Sequence, residues 1–285
     1  MIELEHGSMQ ATIVPEMGAG LASLDWRGVP VLRAWDGTSL DPGSLASFLL
    51  VPWSNRISGG GLEAGGRFWP LEPNELGEPY PIHGDGWLKP WTPVELAPDA
   101  AVLALHSEVG PYRYRARVSY ALAHNGVEQL LEVIHLGEVS APYGLGFHPY
   151  FPRTPATTLR APASGVWLDT GGGMPTVHTP IGEVPSWNFA GAAALPAGLV
   201  DNGFSGWNGR ARMRWPDRGL QVEIEADPAL STYILYSPTT DADFFCFEPV
   251  THPIDACHLP GQPGLVLLEP GERMAVGYRL DVRPD

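Results

Sequence analysis

Glycine and proline together make up more than a fifth of this 285-residue chain, with 34 Gly and 30 Pro. Both residues weaken helix interiors, and apolar residues at helical spacing are soon interrupted by one or the other. Short strands are what such a chain can build. Apolar and polar residues alternate at 113–122 (RYRARVSYAL), 129–136 (QLLEVIHL), 220–226 (LQVEIEA), 231–237 (STYILYS) and 274–282 (MAVGYRLDV). Each of these segments reads as a strand with one face buried. Between them lie Gly59-Gly60-Gly61, Gly65-Gly66, Asn125-Gly126, Gly171-Gly172-Gly173 and Pro216-Asp217-Arg218-Gly219, which supply the positive backbone angles of tight turns. YRYRARVSYALAHN followed by GVEQLLEVIHL predicts a hairpin with His124-Asn125-Gly126 at its tip. The best helical signal is LDPGSLASFLLVPW at 40–53, where Asp41 could cap a short helix opened by Pro42 and closed before Pro52. A second short turn is expected near 186–195, and GAAALPAG at 191–198 reads as a surface loop. The expected architecture is all-β: one domain over 1–285, a large antiparallel β-sandwich with one or two short helices and a binding surface on one sheet face or rim.

Charge narrows the partners. With 17 Lys plus Arg against 32 Asp plus Glu, the formal net charge is −15, which repels nucleic acid phosphates and anionic lipid head groups. The chain is therefore expected to bind neither, and to be a monomer or weak dimer. No run of apolar residues is long enough for a membrane-spanning helix, and MIELEHGSMQ lacks the basic and apolar regions of a signal peptide. A cytoplasmic location follows as the expectation. Cys246 and Cys257 cannot build a disulfide framework and lack zinc-ligand spacing.

Three segments carry residues able to do chemistry. At 51–91, Asn55 and Arg56 precede a glycine-rich hairpin, and His83-Gly84 is followed by Trp87 and Trp91. At 141–151, APYGLGFHPYF sets His148 among aromatic residues and before a proline. At 241–256, DADFFCFEPVTHPIDA ends an apolar strand on Glu248. A carboxylate among large apolar side chains needs a partner or a task. Read singly, Glu248 fits a structural salt bridge or strand-end cap as well as a reacting group. His148 equally fits a hydrogen-bonded core residue, and Asn55-Arg56 a clamp on loop carbonyls.

Taken in order, NRI before a glycine-rich hairpin, HGDGW, FHPYF, VDNGFSGW and FEPVTHPIDA resemble the aldose 1-epimerase (galactose mutarotase-like) family. The opening IVPEMGAGLASLDWRGVPVL and closing LEPGERMAVGYRL fit its ends, so the resemblance spans nearly the whole chain. It implies a large β-sandwich that interconverts sugar anomers without cofactor or metal. It implies His148 as general acid, Glu248 as general base and His83 near the sugar ring oxygen. Asn55, Arg56 and Asp201 would hold sugar hydroxyls. Galactose-specific members usually show HGG where this chain has His83-Gly84-Asp85, and they are longer, so the sugar is less determined than the reaction. A neighbouring subgroup acts on hexose 6-phosphates. The low Lys and Arg content favours a neutral aldose, although Arg56, Lys89 and Arg113 are available to a phosphate.

Anomer exchange breaks the bond between anomeric carbon and ring oxygen, turns the freed aldehyde and recloses the ring on the other face. It needs a base for the anomeric hydroxyl and an acid for the ring oxygen, placed across the ring from each other. A carboxylate titrating near 4.3 is ionised at neutral pH, whereas an imidazole near 6.5 needs a neighbouring negative charge to stay protonated. Trp53, Trp87 and Tyr150 are candidates for an aromatic face under the sugar. Three rival readings exist. A glycoside hydrolase would need a second carboxylate from Asp201, Asp243 or Asp255. A carbohydrate-binding module would use the same cleft without turnover, and a metal site could draw on His252, Asp255 and His258.

Overall fold

The computed structural model describes residues 1–169, 174–175 and 177–285. The expected turn at Gly171–Gly173 lies outside the described residues. Two large antiparallel sheets of eleven and nine strands dominate the fold, with two small two-stranded sheets beside them. The alternating segments are strands: Tyr112–Ala123, Gly126–His135, Leu220–Ala226, Thr232–Ser237 and Arg273–Pro284. Pairing of Ala123 with Gly126 leaves His124-Asn125 as the two-residue hairpin tip. Gly126 serves there for a reason other than a positive φ. A side chain on it would come within 2.3 Å of the Leu280 carbonyl on the neighbouring strand, and only glycine tolerates that approach.

The predicted helix over 40–53 does not form. Asp41 does cap, its side chain accepting from the Gly43 amide at 3.0 Å, but only a single 3₁₀ turn follows, Pro42–Ser44. The chain then extends into the strand Ser47–Leu50, all four residues of which are buried. Three consecutive large apolar side chains cannot share one helix stripe with the flanking residues, but a strand covered on both faces buries them on alternate sides. Two 3₁₀ turns, Ile181–Glu183 and Pro185–Trp187, stand near the second expected turn. Ala193–Ala194, read from sequence as loop, adds a two-residue strand to the edge of the nine-stranded sheet.

The sheets face each other across one apolar core. Phe147, Phe151, Phe245 and Phe247 from the larger sheet pack in one cluster with Val118, Leu131, Val222 and Val276 from the smaller. What positions the functional residues is the opposite face of the larger sheet. There Ser47–Leu50, Gly146–Pro152, Phe244–Val250, Thr232–Ser237 and Val200–Ser205 lie side by side in that order. Among the described residues, no helix is long and apolar enough to cross a membrane.

Candidate active site

Register alone brings the two best candidates together. Gly146 pairs with Val250 and Tyr150 with Cys246, so His148 falls opposite Glu248 on the adjacent strand. Because side chains repeat every second residue, those at this position and two residues away share a face. One cross-strand row runs Phe48, His148, Glu248, Ile234, Gly203, and the next runs Tyr150, Cys246, Tyr236, Asp201. Both rows point away from the phenylalanine core. Phe48, His148, Glu248, Tyr150, Tyr236 and Asp201 of these rows line a cavity of about 470 Å³ whose wall is completed by Asn55, Arg56, His83 and Trp87.

At the floor, His148 Nε2 stands 3.3 Å from Glu248 Oε1. Both residues are buried, Glu248 to 1% exposure. Among the described residues, His148 Nδ1 and Glu248 Oε2 have no hydrogen-bond partner, a costly condition for buried polar atoms. Burial pushes the Glu248 carboxyl well up, helped by the Asp201 charge and opposed by Arg56. Burial pushes His148 down to about 3, and the Arg33 charge adds to the effect. From sequence, the carboxylate was expected to hold an imidazolium across the ring. Here desolvation outweighs that attraction, and the two groups stand side by side, sharing one proton in their neutral forms.

The wall of the cavity is a stack of rings. Phe48 lies on His148 at 4.2 Å and on Trp87 at 5.1 Å, and Tyr150 is tilted against His148 at 4.9 Å. Trp87 Nε1 donates to the Gly84 carbonyl, which fixes the indole as the end of the stack. Trp53 does not belong to it. It is buried against Tyr112 in the main core, away from the cavity lining, because its position follows the central strand on the core side.

His83 and Asn55 clasp each other through backbone turns. Both have left-handed angles, φ 60° and 57°. The Asn55 amide donates to His83 Nδ1 at 3.0 Å, and the His83 amide donates to the Asn55 carbonyl at 3.1 Å. Since Nδ1 accepts, the ring proton of neutral His83 resides on Nε2. Burial, with His148, Arg56 and His252 nearby, holds His83 well below its ordinary value, so it is a neutral donor. Asn55 uses its own side-chain oxygen on the Arg56 amide at 2.9 Å. Gly84 beside it has φ 69°, and a side chain there would meet the Val51 carbonyl at 2.2 Å.

Arg56 is held from two sides, its Nε donating to Glu78 Oε2 and its Nη1 to Asp201 Oδ2, each at 3.0 Å. Asp201, engaged in this way, is not a free second catalytic carboxylate. Asp85, the departure from HGG, turns away from the cavity. Its carboxylate accepts from the Tyr114 hydroxyl at 2.6 Å and from Ser107, tying the His83 loop to the nine-stranded sheet.

Of the three residues weighed as metal ligands, Asp255 and His258 come together, with Cys257 beside them, while His252 is engaged elsewhere. His252 accepts from the Ser54 amide at 3.0 Å through Nε2, and its Nδ1 contacts the Pro253 carbonyl at 2.8 Å, so it braces a loop. Asp255 and His258 do meet, at 2.8 Å, but Asp255 also accepts from both the amide and the hydroxyl of Ser58. The two cysteines are free. Residues that the sequence reading did not single out also line the cavity: Arg33, Phe48, Glu78, Tyr236 and Phe244. Phe244 was legible, since counting back in twos from Glu248 puts Cys246 and Phe244 on its face. Arg33, Phe48 and Glu78 sit on segments with no periodic link to the site.

The chain has known relatives in sequence and in fold. The family described as aldose 1-epimerase matches residues 1–281. The Escherichia coli K12 protein YphB, itself uncharacterized, is 34% identical over 279 residues, covering 94% of each chain. A crystal structure of a protein from the same organism, titled as a candidate aldose 1-epimerase, superposes with a TM-score of 0.92 at 32% identity, covering 99% of this chain and 98% of the other. A galactose mutarotase-like protein from Clostridium acetobutylicum, at 20% identity and a TM-score of 0.85 over 99% and 95% of the two chains, shares the fold.

Proposed function

The chain belongs to the aldose 1-epimerase family, and from that premise we propose that it interconverts the α and β anomers of an aldose by acid–base ring opening and closure. The observation that carries the reading is the buried contact of His148 with Glu248, at 3.3 Å on the cavity floor, each with one further polar atom unpartnered. The anomeric hydroxyl and the ring oxygen are bonded to the same carbon. An acid and a base that serve them must therefore be neighbours, as these two are.

The opening step runs through the charged form of the pair: the shared proton passes from Glu248 to His148 across their contact, the carboxylate takes the anomeric hydroxyl proton, and His148 gives its proton to the ring oxygen. The bond from anomeric carbon to ring oxygen breaks and a carbonyl forms. The pair is left as carboxylic acid and neutral imidazole, the state that burial favours. After the aldehyde turns, Glu248 returns its proton to the carbonyl oxygen and His148 accepts the ring hydroxyl proton as the ring closes. Throughout the cycle the pair carries one proton, so neither group has to exchange with solvent. His83 Nε2–H supplies a second, neutral donor beside the ring oxygen. Arg56, fixed by Glu78 and Asp201, offers its remaining N–H groups to hydroxyls, while Trp87 and Tyr150 flank the apolar side of the sugar.

Proton NMR exchange between anomers at equilibrium tests this directly. Glu248→Gln is expected to keep sugar affinity and to lose at least about a hundredfold in exchange rate, the usual scale of a positioned general base. Binding without exchange by the unaltered protein would favour a carbohydrate-binding module instead.

A further inference from the structure

The cavity holds two guanidinium groups, and they are not alike. Arg56 is neutralised by Glu78 and Asp201. Arg33 has no carboxylate partner and no side-chain hydrogen bond among the described residues. Its carbon stands 4.0 Å over the Tyr150 ring and 4.6 Å over the Phe244 ring, contacts that hold a cation by its face and leave the N–H edge unused. Its backbone amide donates to the Tyr150 carbonyl at 2.8 Å, which ties it to the strand that carries His148. The Tyr150 ring is in contact with both the Arg33 guanidinium and the His148 ring. Arg33 lines the same cavity as His148 and Glu248, so a sugar held there by its anomeric end lies in a space that the guanidinium also borders.

We propose that Arg33 determines specificity, and that the sugar it selects is an aldose bearing a carboxylate on the exocyclic carbon remote from the anomeric centre, a hexuronate. The assignment rests on the mutarotase reading above and narrows its substrate. A single unpaired guanidinium matches a planar monoanion through two parallel hydrogen bonds. A phosphate dianion calls for more positive charge than this, and the rest of the lining supplies carboxylates: Glu75, Glu78, Asp201 and Glu248. There is a second consequence. Unpaired, the Arg33 charge opposes protonation of His148. A substrate carboxylate seated on Arg33 cancels that opposition, so the correct substrate itself makes the imidazole a better proton carrier for the ring oxygen.

The test compares anomer exchange of galacturonate, galactose and galactose 6-phosphate, and of the corresponding gluco sugars, by the unaltered protein, Arg33→Gln and Arg33→Lys. The expected result is that kcat/KM is highest for the uronates. Arg33→Gln then lowers the ratio of uronate to neutral sugar by about tenfold to a hundredfold, chiefly through KM, as loss of a charge-assisted pair does. Arg33→Lys restores only part, because an ammonium lacks the planar fork. A neutral hexose exchanged as well as the uronate, with a ratio that Arg33→Gln leaves in place, overturns the assignment while the mutarotase reading stands. Preference for the 6-phosphate overturns the carboxylate in the same way. If the unaltered protein exchanges none of these sugars, the mutarotase reading falls, and the assignment with it.

Discussion

The two large sheets face the same core but treat their other faces in opposite ways. The central strands of the nine-stranded sheet alternate, as in Tyr112–Ala123, where buried residues alternate with exposed or half-buried ones. Its outer face is a lattice of arginine and acid pairs in solvent: Arg210 with Glu225, Arg212 with Glu223, Arg279 with Glu128. The central strands of the eleven-stranded sheet do not alternate. Six of the seven residues of Phe244–Val250 are buried, because the second face lies under the loop that closes the cavity. A charge on the first sheet's outer face stays hydrated and contributes little to stability. A charge on the second sheet's covered face loses its water, and its protonation is set by burial. That difference explains why burial governs the protonation of His148 and Glu248.

The contrast can be broken in four ways, beginning with the largest effect. The proposed anomer exchange requires the one-proton state of His148 and Glu248. Burial lowers His148 to about 3, so the acid limb of kcat/KM should lie far below the ordinary histidine value near 6.5, with complete loss only at the acid extreme. The alkaline limb should lie above the ordinary carboxylate range, since Glu248 is held up. A pH–rate profile with its acid limb at 6.5 would mean that the pair is solvated, and the distinction between the two faces would fail.

Next comes the shared core. Phe245 is fully buried, with its ring stacked on Phe151, so Phe245→Ala should cost about 3–5 kcal/mol in urea unfolding. A cost below 1 kcal/mol would show that the core between the sheets is loosely packed. A smaller effect is expected at Asp85, where the sheets are joined beside the site. Asp85→Ala leaves the Tyr114 and Ser107 hydroxyls without their acceptor, at about 1–3 kcal/mol, and should raise KM by loosening the His83 loop. An unchanged KM with lost stability would confine Asp85 to a structural tie. The smallest effect belongs to the outer face: Arg212→Ala, which breaks an exposed pair with Glu223, should change stability by less than about 1 kcal/mol. A larger loss in the same unfolding assay would mean that the lattice acts as a network.

The same division governs what could be read without coordinates. Half-buried strands carry their own signature, and the segments at 113–122, 220–226 and 274–282 were legible as strands to within a few residues. The helix expected over 40–53 failed on the other side of the divide. Phe48, Leu49 and Leu50 form a continuous apolar run, and such a run has no period by which to tell a buried strand from a buried helix. His148 and Glu248 could be picked out for a related reason, as ionisable groups inside runs that otherwise exclude them. Their partnership could not, since it depends on pairing between strands a hundred residues apart.

The class of fold, the residues too polar for their surroundings and, through the order of the motifs, the family were all legible in the chain before folding. The fold was needed to show that His148 and Glu248 stand side by side, that Asp85 faces away from the cavity, that Trp53 belongs to the core, and that Arg33 has no carboxylate partner among the described residues. The physical reason is that alternation and turn chemistry are local, acting over a few residues of chain. Burial, desolvation and cross-strand register are properties of neighbours that only the folded sheet brings together.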